Sequence, residues 1–222
     1  MQVARYIPFG MYVFMPRPTK LQPERGDART RLLDAARDVI RLKGFDATSV
    51  DDLCEAAAVT KGSFFHHFAS KEALGVAAAD YWTETTGAFF AAAPYHQPDD
   101  PLERILAYVA FRKSLIAGEL SQFSCLAGTM VQDCYATSPA IRDACGRAIF
   151  GHAETLEADL EAALVARGIT TITSASLARH TQTVLQGAFI MAKAGNNPAL
   201  ARESLDHLDR YFRLLFQTED LQ

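Results

Sequence analysis

No run of apolar residues approaches the ~18–20 that a bilayer-spanning helix requires, so no membrane helix is expected. Cysteine is scarce: Cys54, Cys125, Cys134 and Cys145 form no CxxC pair and no Cys/His cluster at zinc spacing. That excludes a disulfide-dense scaffold and a zinc finger, and it suits a reducing cytoplasm. Catalytic signatures are missing as well. There is no G-x-S-x-G elbow, P-loop, H-E-x-x-H or dinucleotide glycine fingerprint, and the six histidines suggest no triad. Period-2 alternation is absent too. The single β-branched run, Ile169-Thr170-Thr171-Ile172-Thr173, reads as a loop, and no internal repeat is present. The expectation is a chain with no catalytic residues, no metal and no cofactor.

What is present is a globular composition, 49% apolar and 22% charged over 222 residues. The net charge of −4 argues at first against a polyanionic partner. Its distribution matters more: residues 1–75 carry 11 Lys/Arg against 9 Asp/Glu, and residues 76–222 carry 11 against 17. All the excess negative charge lies in the later part. The first third can therefore approach phosphates that the rest would repel.

The opening stretch is broken by Arg5, Pro8, Gly10 and Pro16, so it does not read as a signal sequence. Met11 and Met15 are alternative starts, and residues 1–26 read as a flexible leader. Beyond it, period-3.6 patterns predict helices at about 28–43, 49–57, 60–67, 70–92, 101–117, 122–136, 139–167, 174–194 and 198–217. Gly44 ends the first, a Thr48-Ser49-Val50-Asp51 box opens the second, and Thr60 and Ser70 cap the next two. Nine helices and no sheet define an all-α fold.

The most informative segment is GFDATSVDDLCEAAAVTKGSFFHHFASKEAL, Gly44 to Leu74. Two short helices joined only by Ala58-Val59 must cross steeply, as in a helix-turn-helix unit. Val50, Leu53, Cys54, Ala57, Val59, Phe64 and Phe68 supply a shared core. The second helix then presents Thr60, Lys61, Ser63, His66 and His67 outward, with Gly62 permitting close approach to a sugar-phosphate wall. The helix starts at Thr48-Ser49 and Ser70 add orphan amides suited to phosphate. Adjacent histidines on a helix point about 100° apart, so His66 and His67 do not chelate one ion.

This segment resembles the DNA-binding signature of the TetR/AcrR family of regulators, from the first helix through the start of the fourth. The resemblance implies a homodimer on a palindromic double-stranded DNA operator, most often a repressor released by a small-molecule effector, working in the cytoplasm. Carried over by position, Thr48, Ser49, Thr60, Lys61, Gly62, Ser63, Phe65, His66, His67 and Lys71 are the expected DNA contacts. Two departures stand out: Phe65 occupies a position that is often Tyr, and Ala58 one where Gly is common. The implied organisation is a leader (1–26), a three-helix helix-turn-helix DNA-binding head (27–73) and a ligand-binding and dimerisation body (74–222). The run Cys125-Leu126-Ala127-Gly128-Thr129-Met130-Val131-Gln132 is similar to a motif in one branch of the family.

In the body, Phe89, Tyr108, Phe111, Arg112, Phe123, Cys125, Met130 and Gln132 are the expected lining of a largely apolar ligand cavity. Arg112 is a partner for an anionic ligand, and Trp82 and Phe90 belong to the same aromatic set. Cys125 reads either as a reactive thiol or as a small buried hydrophobe. The last two helices carry Leu177, Val184, Leu185, Ala188, Phe189, Leu205, Leu208, Phe212 and Leu215, which suggests a four-helix dimer interface. The rival reading is a small helical enzyme or ligand carrier using the same cavity.

Overall fold

In a computed structural model, residues 27–217 are described, and every regular element among them is helical. The expected leader lies outside the described residues. The order is α1 (Ala28–Lys43), α2 (Val50–Ala57), α3 (Lys61–His67), α4 (Lys71–Ala91), α5 (Pro101–Ser114), α6 (Leu120–Phe123), α7 (Leu126–Cys134), α8 (Pro139–Glu154), α9 (Glu157–Ala166), α10 (Ser174–Ala194) and α11 (Pro198–Gln217), with a short 3₁₀ turn at Pro94–His96. No described helix is long and apolar enough to cross a membrane.

Capping side chains set most starts. Asp27 Oδ1 accepts from Thr30 N at 2.8 Å, Thr60 Oγ1 from Ser63 N at 3.1 Å and Ser70 Oγ from Ala73 N at 3.0 Å. Pro101 and Pro139 occupy first-turn positions, where the missing N–H is no loss. Two of the nine expected windows break, giving eleven helices. Residues 122–136 split where Ser124 and Cys125 turn extended; the Cys125 Sγ accepts from Gly128 N at 3.3 Å and starts α7 anew. Residues 139–167 split at Thr155, whose hydroxyl donates to His152 O at 2.7 Å. The Ile169–Thr173 run is a loop, with Ile169 and Ile172 packed on the body.

Two apolar clusters hold the chain together. Leu32, Leu33, Ile40, Leu53, Phe64 and Leu74 centre the first, which continues through Leu126, Met130 and Ile141 of α7 and α8. The head therefore shares its core with the body. Tyr108, Phe111, Leu160, Leu185, Leu205 and Phe212 belong to the second, around α5, α9, α10 and α11.

The expected dimer residues are mostly claimed by their own chain. Leu177, Leu185, Ala188, Phe189, Leu205, Leu208 and Phe212 are buried among α5, α9, α10 and α11, because these helices pack on one another first. The large apolar side chains left exposed on the last two helices are Ile190, Met191 and Leu214.

Candidate nucleic-acid interface and internal cavity

The helix pair α2–α3 is built from the cap inward. Ser49 Oγ accepts from Asp52 N at 3.1 Å while Ser49 N donates to Asp52 Oδ2 at 2.7 Å. The reciprocal box therefore pairs Ser49 with Asp52, one residue later than the sequence box suggested. Lys43 Nζ lies 2.6 Å from the same carboxylate and, with Ser49, holds it well below the usual carboxylate range. The turn is closed by Ala58 in the left-handed region, φ 52°. An L side chain there costs about 1–2 kcal/mol relative to a right-handed residue. Ala58→Gly is expected to raise stability by about 1 kcal/mol, read as a higher urea midpoint at unchanged slope.

Phe64 and Phe68 anchor α3 inward. Thr60, Lys61, Gly62, Phe65 and His66 are exposed on its other side, with Ser63 and His67 half-buried beside them. Phe65 packs edge-on to Phe64, 5.1 Å between ring centres, yet is 56% exposed, a large apolar surface left open on this face. Lys61 pairs with Asp51 at 2.8 Å, both largely exposed, so the pair is weak and readily exchanged for phosphate. A Cβ on Gly62 would meet only Thr60 Oγ1, at 3.7 Å, so the protein itself does not require glycine there.

Two expected DNA contacts face inward instead. Thr48 is 1% exposed and its hydroxyl donates to Gly44 O at 2.6 Å, which keeps it off any DNA surface. Lys71 is drawn into the turn between α1 and α2. Its ammonium donates to Phe45 O and Thr48 O, both at 3.0 Å, and sits 4.4 Å from the Phe45 ring centre. Those carbonyls converge because the chain reverses at Gly44, φ +87°, where a Cβ would strike the Asp133 carboxylate. Three polar ties then fasten the head to the body. Asp133 Oδ2 accepts from Phe45 N at 2.7 Å, Arg41 Nη1 donates to Gln122 O at 2.8 Å, and the Ser138 hydroxyl donates to the Glu72 carboxylate.

Behind the head lies a partly enclosed cavity. Its volume is about 80 Å³. Of the expected lining, Phe89, Arg112, Phe123 and Cys125 face it. Gln132 and Cys125 line an adjoining open groove against Lys193 and Ile190. The other three do not line either space. Tyr108 and Phe111 are buried one layer back in the body core, and Met130, 0% exposed, packs in the head's cluster.

The cavity also includes residues the sequence did not single out. Thr86, Gln182, Gln186 and His152 add polar groups, and Arg41 reaches in from α1, its guanidinium 5.4 Å from the Trp82 ring centre. Arg41 follows Ile40 in the last turn of α1, where an amphipathic pattern predicts a solvated cation; α6 and α7 cover that side, and the residue is 4% exposed. His152 Nε2 lies 2.9 Å from the Tyr108 hydroxyl and 3.3 Å from Arg112 Nη1. Burial, and then the Arg112 charge, press its pKa down to about 3, so the imidazole is neutral and accepts from both. Burial raises the thiols of Cys54, Cys134 and Cys145; Cys125 alone is half-exposed. No cluster of three or more His, Cys, Asp or Glu suited to a metal exists among the described residues.

Comparison with known proteins agrees with this architecture at both ends. Residues 32–78 match the model for bacterial regulatory proteins of the tetR family, and residues 101–204 match that for the C-terminal domain of LmrA/YxaF-like transcriptional regulators. The transcriptional regulator UidR of Escherichia coli (strain K12) is 43% identical over 54 residues, 24% of this chain and 28% of UidR. The transcriptional repressor KstR2 of Rhodococcus jostii is 39% identical over 59 residues, 27% of this chain and 29% of KstR2. The match spans little more than a quarter of these relatives' length. Among solved structures, the regulatory protein TetR from Rhodobacter sphaeroides aligns with a TM-score of 0.74 at 22% identity, covering 83% of this chain and 98% of its own. The reduced form of Escherichia coli NemR aligns with a TM-score of 0.67 at 26% identity, covering 82% and 95%.

Proposed function

Since the chain belongs to the TetR family of transcriptional regulators, we propose that it is a ligand-responsive repressor that binds a palindromic operator as a homodimer in the cytoplasm. The carrying observation is α3: anchored inward by Phe64, it offers Thr60, Lys61, Gly62, Ser63, Phe65, His66 and His67 to a major groove. Ser49 flanks it at the exposed start of α2. In a dimer, two such helices about 34–36 Å apart, or a multiple of that, meet two half-sites. Ile190, Met191 and Leu214 are the natural self-association surface. The body has a regulatory role in this reading and no catalytic one.

The cavity supplies the release. Its open volume is well below the roughly 300–1,000 Å³ of ordinary ligand pockets, so an effector must part the walls. One wall is Arg41 of the head itself, tied to Gln122 O. Parting α6 from α1 breaks that tie and re-aims the head, provided the effector binds the DNA-incompetent arrangement more tightly. Selection of bound duplexes from a random pool tests the reading, with enrichment of a two-fold symmetric sequence as the expected result. No enrichment by a folded dimer at low salt would overturn it. Gly62→Ala sharpens the test: stability should stay within about 1 kcal/mol of the parent. Affinity for the selected duplex should drop about tenfold or more, because the added methyl stands between α3 and the groove wall.

A further inference from the structure

The cavity is charged in one sense only: Arg41 and Arg112 line it, and no Asp or Glu does. The two arginines are not equivalent. Arg41 is already satisfied, by Asp38 at 3.1 Å, the Gln122 carbonyl and the Arg37 carbonyl at 3.0 Å. Arg112 has no carboxylate partner among the described residues. It donates to His152 Nε2 at 3.3 Å and lies 5.0 Å from the Phe90 ring centre. His152 is neutral and already accepts from the Tyr108 hydroxyl, whose own oxygen accepts from Gln182 Nε2 at 3.3 Å. The half-buried guanidinium thus keeps several of its five donors without a protein acceptor, open to the cavity's free space beside largely aromatic walls. An anion arriving there gains charge-assisted hydrogen bonds from a planar fork that no carboxylate occupies. The flat faces of Trp82, Phe89, Phe123 and Phe189 complete the space.

We propose that the effector is a small organic anion with an aromatic body, its acidic head held by Arg112 and its rings packed among the cavity's aromatic side chains. The inference rests on the cavity being the effector site. Two fluorescent probes of one skeleton test it without DNA: 8-anilino-1-naphthalenesulfonate, an anion, and N-phenyl-1-naphthylamine, its uncharged counterpart. Trp82 is the single tryptophan and stands in the wall, so quenching of its emission reports occupancy of this cavity. The parent protein should prefer the anion by about tenfold or more. Arg112→Met should abolish that preference while leaving the neutral probe's affinity unchanged, and Arg112→Lys should retain part of it. Equal affinities in the parent, a preference that survives Arg112→Met, or failure of both probes to quench Trp82 overturns the proposal. A second arm adds the selected duplex. If the anion binds through Arg112 yet leaves DNA bound, the ligand class stands and effector release fails. If another ligand releases DNA while the probes show no charge preference, regulation stands and the ligand class fails.

Discussion

Lys71→Met is expected to lower thermal stability and operator affinity together, whereas Lys61→Met lowers affinity alone. Both lysines stand where the family signature places DNA contacts, but their surroundings differ. Lys61 is largely exposed and paired only with exposed Asp51, so its loss should leave thermal stability close to the parent's. It should also reduce the salt dependence of DNA binding by about one phosphate contact. The Lys71 ammonium instead satisfies Phe45 O and Thr48 O and covers the Phe45 ring. Hydrogen bonds from a charged donor are worth about 1.5–3 kcal/mol, and with the ammonium gone Phe45 O keeps the Thr48 N–H at 3.1 Å while the turn loses its shared cation. A loss of about 2–3 kcal/mol follows, or roughly 4–12 °C in a chain of this size. The same carbonyls fix the start of α2, so the recognition pair loses its aim as the turn loosens. Scanning calorimetry and anisotropy on the same samples separate the cases. A Lys71→Met protein that melts normally and loses only one phosphate's worth of salt dependence would show that this lysine contacts DNA after all.

The sequence disclosed what depends on local rules. The caps at Thr60 and Ser70, the stop at Gly44 and the two-residue turn at Ala58-Val59 are all contacts between near neighbours and appear where spacing puts them, while the α2 box lies one residue later, at Ser49 and Asp52. The breaks at Ser124 and Thr155 were not legible, since neither falls at Gly or Pro; they rest on a Cys125 thiol cap and a Thr155 hydroxyl turned back to His152 O, roles these residue types do not announce. The cavity was half legible for a related reason. An aromatic residue in a body helix reads as inward, which found Phe89 and Phe123 and also swept in Tyr108 and Phe111. Which inward residue faces a void and which faces another helix is a property of the assembled body. Arg41 was hidden by the opposite error, because a terminal arginine reads as solvated until another helix covers it. Lys71 combines both effects: a motif position that implies phosphate, turned by three carbonyls some 23–26 residues upstream.

His152 should make the protein acid-sensitive in a pH range where few other groups titrate. Its folded pKa is pressed down to about 3 by burial and by Arg112, while the unfolded chain titrates near the ordinary value of about 6.5. Below that value the unfolded chain takes up a proton that the folded chain refuses. The stabilisation is therefore complete above pH ~6.5 and is lost as pH falls towards ~3, at up to about 1.4 kcal/mol per unit. Between pH ~7 and ~5 the loss comes to about 2 kcal/mol, before most carboxylates begin to titrate. Urea unfolding across that window should show it, and His152→Gln, which keeps an acceptor for Tyr108 and cannot be protonated, should flatten the slope. A parent protein equally stable at both ends would mean that the imidazole finds solvent or a counter-ion on protonation. The same measurement bears on the cavity's ligand. An anion seated on Arg112 screens the charge that helps hold His152 neutral and raises its folded pKa, so with the curve extended below pH ~5 the loss levels off at a higher pH. The uncharged probe should leave that point where it was.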